Sequence, residues 1–92
     1  MATSTEIVLS GMSTARLVQA LDLNKEKFNQ RKRQANKMFE LYAVEEDRQT
    51  KSDLYNLFEL LCKEMNMFGD NVEMYQTALT KRINKYNKEK GA

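Results

Sequence analysis

The sequence has no histidine, no proline and only one cysteine, Cys62. Histidine is the commonest general base near neutral pH and the commonest metal ligand, so its absence argues against an enzyme and against a metal site. A single cysteine cannot form an intramolecular disulfide, which makes a reducing cytoplasm the expected compartment. The absence of proline leaves long helices uninterrupted. We therefore expect a non-enzymatic protein with no catalytic residue, metal, cofactor or small-molecule substrate.

Long apolar runs are missing as well. A membrane-spanning helix needs about 20 consecutive apolar residues, and no stretch of this chain approaches that length. The first residues do not combine a basic stretch with an apolar one, so no secretory signal is predicted. With 92 residues, the chain is long enough for one domain and too short for two. We predict a flexible N-terminal arm over residues 1–12 and a single helical domain over residues 13–92.

The apolar residues that are present recur with helical periodicity. The clearest series lies in residues 54–68, where apolar side chains recur at intervals of three and four positions. Gly69 stands where a helix C-cap is expected, and Asp70 with Glu73 resembles a capping box that begins another helix. Residues 22–24 are predicted as a tight connector. The predicted fold class is all-α, a small helical bundle of three longer helices, at about 25–44, 52–68 and 71–88, plus a short N-terminal helix at about 14–21.

Charge is segregated along the chain, although the net charge is only +2. Residues 25–37 carry six basic side chains against one acid, a net charge of +5. Residues 38–73 carry nine acids against three basic side chains, a net charge of −6. Residues 74–92 carry five basic side chains against one acid, a net charge of +4. Two basic segments therefore flank an acidic one, a pattern that bears on partners and association more than on fold.

Residues 14–33 resemble a DNA-binding helix-turn-helix, with a short helix, a turn at residues 22–24 and a second helix in that order. The resemblance implies that the second helix contacts DNA, because amide side chains pair with adenine edges, arginine with guanine, and lysine with phosphates. Three positions depart from the motif: Asp22 replaces the usual glycine of the turn, Val18 replaces a small alanine, and Arg31 replaces a buried apolar residue. The candidate nucleic-acid residues are Lys25, Asn29, Gln30, Arg33 and Lys37.

The other interpretation is a regulatory or adaptor protein that acts by protein–protein binding. A small helical domain with segregated charge suits this role, because charge complementarity sets association rate and partner choice. Self-association is one variant, in which oppositely charged segments of two copies pair. The candidate protein-interface residues are Tyr55, Glu59, Glu45 and Glu46. A basic stripe near the C-terminus either binds an anionic partner or complements the helix dipole; it comprises Lys81, Arg82, Lys85 and Lys88.

The short, proline-free composition, rich in asparagine, lysine and methionine, resembles that of accessory proteins encoded by large lytic phages. Such proteins bind one host or phage protein and change its activity, so the resemblance implies a regulatory role toward a protein partner. Cys62 lies in the most apolar stripe and is expected to be a core residue. Residues 45–47 are expected to form a solvated acidic turn rather than a cation site. Protein binding is thus the leading hypothesis and DNA binding its alternative.

Overall fold

A computed structural model describes residues 4–91, apart from the side chain of Glu6. Within that range the chain forms three α-helices and no strand: α1, Ser4–Ser10; α2, Thr14–Val44; and α3, Arg48–Lys90. The all-α prediction is confirmed. The predicted bundle of three longer helices plus a short one is wrong, because two long helices dominate the fold.

The predicted connector at residues 22–24 is part of α2, so the helices expected at 14–21 and 25–44 are one. The helix begins after Ser13, whose hydroxyl accepts the N–H of Arg16 at 3.2 Å. Asn24, the last residue of the predicted connector, makes hydrogen bonds within the helix interior and to α3. Its amide nitrogen donates to the carbonyl of Ala20 at 2.6 Å, and its oxygen accepts from Asn71 of α3 at 3.2 Å. With these bonds made and no proline present, nothing interrupts the helix.

The predicted break at Gly69 is also wrong, and the helices expected at 52–68 and 71–88 are both part of α3. Gly69 does not adopt a positive φ, so it is not a left-handed cap. It lies against α2 instead: a Cβ added there would come within 3.3 Å of the Phe28 ring. The absence of a side chain therefore lets the two helices approach closely at this level.

The helices α2 and α3 form an antiparallel hairpin joined by residues 45–47. Among the side chains with reduced exposure, one series on each helix recurs at alternating intervals of three and four residues, which is the heptad pattern of a coiled coil. We call these positions the seam. On α2 they are Leu17, Leu21, Asn24, Phe28, Arg31, Ala35, Met38 and Tyr42, and Glu45 continues the series in the loop. On α3 they are Lys51, Leu54, Phe58, Leu61, Met65, Phe68, Val72, Tyr75, Leu79 and Arg82.

The hairpin is long and thin. The molecule measures 65 × 26 × 17 Å and has a radius of gyration of 18.8 Å, against about 12 Å for a compact domain of this length. At 1.5 Å per residue, the 43 residues of α3 span about 65 Å, the full length of the molecule. Two paired helices can bury few side chains completely. Among the described residues, the buried hydrophobic ones are Leu17, Leu21, Ala35 and Leu79.

Helix α1 closes the open end of the hairpin, within the segment predicted as an arm; residues 1–3 lie outside the described range. Leu9 and Met12 pack against the cluster of Leu17, Leu21 and Leu79. The guanidinium of Arg82 donates to the carbonyls of Leu9 and Met12 and to the hydroxyl of Thr14. One arginine of α3 thus holds the end of α1 and the start of α2.

Candidate protein-binding surfaces

The loop that joins α2 and α3 is short and held by its own polar groups. Asp47 is the N-cap of α3, and its carboxylate accepts the backbone N–H of Thr50 at 2.9 Å and the Thr50 hydroxyl at 2.8 Å. These bonds hold the pKa of Asp47 below its ordinary value, the backbone bond contributing most. The Asp47 N–H in turn donates to the Glu45 carboxylate at 3.0 Å. The acidic turn predicted at residues 45–47 is therefore an ordered three-residue connection.

Four aromatic rings pack together beside this loop, and we call them the aromatic quartet: Phe39, Tyr42, Tyr55 and Phe58. Across the hairpin, the ring centroids of Phe39 and Phe58 are 5.4 Å apart, and those of Tyr42 and Tyr55 are 5.5 Å apart. Along each helix the neighbouring rings are 6.1 and 6.2 Å apart. The rings are tilted by 31–47°, within the range of favourable aromatic contacts.

Two members of the quartet face outward. Phe39 and Tyr55 each follow a seam position by one residue, so both lie on the same side of the hairpin, and they are 50% and 42% exposed. Glu59 lies one helical turn beyond Tyr55, and its negative charge raises the pKa of the Tyr55 phenol, with a hydrogen bond as the second cause. The Lys51 ammonium lies 4.8 Å from the centroid of the Tyr42 ring, which is cation–π distance.

The predicted interface residues all lie at the loop end of the hairpin. Tyr55 and Glu59 share a side of α3, and both are exposed. Glu45 is half-buried and bonded to Asp47, while Glu46 is exposed in the loop. Sequence reasoning missed Phe39, which is not among the predicted interface residues. The available signal was a pair of aromatic residues three positions apart on each helix, in the part of the helix next to the loop.

The opposite side of the hairpin carries a second apolar surface, which we call the leucine face. Its residues each precede a seam position by one, so on two antiparallel helices they point to the same side. Their exposed fractions run from 42% to 77%. The leucine face comprises Leu23, Leu41, Val44, Leu57, Leu60 and Met67.

The candidate nucleic-acid residues lie on one continuous helix rather than on a helix-turn-helix, because the predicted turn does not form. All five are exposed, and α3 does not cover the outer side of α2 on which most of them lie. Lys25 and Asn29 also line a shallow cavity of about 290 Å³ beside Gly69. The neighbouring Arg31 points to α3 instead, where it donates to Glu64 at 2.6 Å.

The basic C-terminal stripe divides into two kinds of residue. Lys81, Lys85 and Lys88 are exposed, whereas Arg82 is half-buried and committed to its bonds with α1 and α2. An open groove of about 740 Å³ lies between α1 and the C-terminal half of α3, next to Lys81 and Arg82.

Other chemistry is sparse in the described part of the chain. Cys62 is half-buried, on the same side of α3 as Tyr55. No group of three or more cysteine, aspartate or glutamate side chains within residues 4–91 is placed to hold a metal ion. Among the described helices, none has the combination of length and apolar character that a membrane crossing requires.

Comparison with known proteins adds no family. No protein-family model matches the chain, and searches of curated proteins and of solved structures found no match. Functional inference therefore depends on the exposed surfaces of the hairpin.

Proposed function

We propose that this chain is a non-enzymatic regulatory or adaptor protein that binds a protein partner through the aromatic quartet. The observation that carries the proposal is the half-exposed pair of Phe39 and Tyr55 on one side of the hairpin. Aromatic side chains offer a large rigid contact area, and tyrosine is enriched among the residues that dominate binding energy. The rings behind them, Tyr42 and Phe58, support the pair from within the seam.

The charge around the quartet specifies the kind of partner. Glu45, Glu46 and Asp47 form the loop, and Glu59 flanks Tyr55. A basic segment of the partner would meet these acids, and an arginine or lysine of that segment could stack on an exposed ring. The composition, which resembles that of phage accessory proteins, fits a regulator that acts on one host or viral protein in this way.

The test is binding by matched tyrosine variants. A partner is first isolated from nuclease-treated extracts of the native cells. Its affinity for the purified wild-type and variant chains is then measured. Tyr55→Ala is expected to weaken binding at least about tenfold, the effect of losing a residue worth more than about 1.4 kcal/mol. Tyr86→Ala, which removes an exposed tyrosine far from the loop, is the control and should bind as the wild type does. Equal affinities for all three chains would refute the proposal.

Duplex DNA binding is the alternative function. It is supported by the exposure of Lys25, Asn29, Gln30, Arg33 and Lys37 on an uncovered side of α2. The helix-turn-helix geometry does not support it, because residues 14–33 form one uninterrupted helix. If the alternative holds, duplex DNA is retained at low salt and released as salt rises. Arg33→Ala would then weaken retention, while Arg48→Ala at the start of α3 would not. No retention of duplex DNA at low salt would eliminate this function.

A further inference from the structure

We infer that the leucine face is covered by a second copy of this chain, and that the two hairpins stack side by side with both loops at the same end. The inference goes beyond the proposed function, because the leucine face lies on the opposite side of the hairpin from Phe39 and Tyr55. The product is a four-helix assembly in which α2 of each copy lies over α3 of the other.

The first argument is the size of the surface. Leu23 and Val44 are separated by about 30 Å along α2 at 1.5 Å per residue, and the molecule is 26 Å across. The rectangle that encloses the leucine face is therefore at most roughly 800 Å², comparable to the area each partner contributes to a standard stable interface. Part of this rectangle is polar, because Lys27, Gln30, Gln34 and Lys37 also precede seam positions on α2. The six apolar side chains of the leucine face are each 42–77% exposed, and an exposed apolar patch bordered by polar residues often marks a protein interaction site.

The second argument is the small core. In residues 4–91 the buried hydrophobic side chains are three leucines and one alanine, and three of these lie at the open end of the hairpin. A small two-helix scaffold of this kind usually needs a further stabiliser such as a disulfide or oligomerisation. The single cysteine excludes an internal disulfide. Packing of a second hairpin on the leucine face would give both copies the buried apolar layer that each lacks alone.

The third argument, charge, selects the partner and its orientation. The bonds from Arg31 to Glu64 and from Asn71 to Asn24 show that residues 25–37 of α2 run alongside residues 59–71 of α3. Residues 25–37 have a net charge of +5, and residues 59–71 carry three acids against one lysine.

Two hairpins can stack through the leucine face in two ways. If the loops lie at opposite ends, α2 packs on α2, and the basic segments of the two copies repel each other. If the loops lie at the same end, each basic segment lies over the acidic segment of the other copy. Charge complementarity therefore favours the second arrangement and a second copy as the occupant.

Sedimentation equilibrium tests the association. The wild-type chain is expected to have twice its mass of 10.8 kDa. Leu60→Glu places a charge in the leucine face at an already exposed position and should weaken association at least about 100-fold, since a buried unpaired charge is costly. Val18→Glu, on the opposite side of α2 and similarly exposed, should stay dimeric. A monomeric wild type, or a Leu60→Glu chain as dimeric as wild type, would overturn the inference. Circular dichroism should show both variants to be helical, with Leu60→Glu unfolding at a lower temperature because it lacks the stabilisation that association gives.

Distance measurement tests the orientation. A nitroxide label on Glu46→Cys, in a Cys62→Ser background, reports the separation of the two loops by pulsed electron resonance. The inferred arrangement predicts a separation below about 25 Å, whereas loops at opposite ends would lie about 40 Å apart, since Glu46 is about 19 Å along the hairpin from the middle of the leucine face. The long distance would overturn the proposed stacking.

The two proposals fail separately. Leu60→Glu should lose the dimer and keep an intact quartet for the partner, while Tyr55→Ala should lose the partner and keep the dimer. If Leu60→Glu loses both dimerisation and partner binding, partner binding also uses the leucine face. The two surfaces would then not act separately.

Discussion

Truncation of Leu17 to alanine should destabilise the hairpin far more than truncation of its neighbour Val18. Leu17 is 0% exposed and lies where α1, α2 and α3 meet. Removal of its three terminal carbon groups forfeits about 2.4 kcal/mol at about 0.8 kcal/mol per group, before any cavity cost. Measured losses for buried leucines run from about 2 to 5 kcal/mol. Because the seven-residue α1 can settle partly into the space, we expect about 3 kcal/mol.

The control is Val18→Ala. Val18 is 42% exposed, so the loss of its two methyl groups forfeits about 0.9 kcal/mol of burial. Alanine is the better helix former by about 0.5 kcal/mol, which offsets half of that loss. The expected net change is therefore about 0.5 kcal/mol or less.

Urea unfolding followed by circular dichroism measures both variants, at one chain concentration because association contributes to apparent stability. With a slope of about 1.5 kcal/mol per molar urea, Leu17→Ala should lower the midpoint by about 2 M and Val18→Ala by about 0.3 M or less. Equal shifts in the two variants would show that α1 does not cover Leu17 and that the three-helix end is not packed as described.

Three further predictions concern polar contacts. The lowered pKa of Asp47 adds stability that is present above the ordinary carboxyl pKa of 3.8 and lost as the pH falls through the lower folded value. Asp47→Ala should therefore have a lower urea midpoint than wild type at pH 7, and this difference should shrink in acid. Asp47→Asn keeps an N-cap side chain and should lose less stability than Asp47→Ala. Arg82→Gln should release α1, and amide hydrogen exchange at Leu9 and Met12 should then increase. Unchanged exchange would contradict the role of Arg82 in holding α1. Glu64→Gln should cost under about 1 kcal/mol despite the 2.6 Å contact, because the Glu64 side chain is 38% exposed; a larger loss in urea unfolding would show that solvent screens this ion pair less than its exposure implies.

Sequence reasoning located both ends of α2, but it missed α1 and placed the start of α3 four residues late. The start of α2 after Ser13 and its end at residue 44 both follow from local capping and from a cluster of acids. The two predicted breaks fail for tertiary reasons. Judged from sequence alone, asparagine favours helix caps and glycine favours helix ends. In the structure Asn24 bonds to Asn71, and Gly69 leaves space for the Phe28 ring. Neither contact is visible until the two helices are paired.

The candidate surfaces were harder to predict for a related reason. Leu57 and Leu60 recur at the same three- and four-residue intervals as seam residues, from which they differ by a single position. Periodicity alone does not distinguish seam residues from leucine-face residues. In the predicted bundle, another helix would have buried the leucine-face residues. Tyr55 and Glu59 were predicted from the sequence as protein-interface residues, whereas the quartet depends on ring contacts across the hairpin.

The three-residue connection between α2 and α3 has a kinetic consequence. Chain separation between paired residues rises steadily away from the loop, from 33 positions for Arg31 and Glu64 to 47 for Asn24 and Asn71 and 68 for Thr14 and Arg82. Because closure entropy grows with the logarithm of chain separation, the aromatic rings near the loop are the least costly pair to join and form a natural folding nucleus. We therefore expect the helices to pair from the loop toward the termini and α1 to dock last.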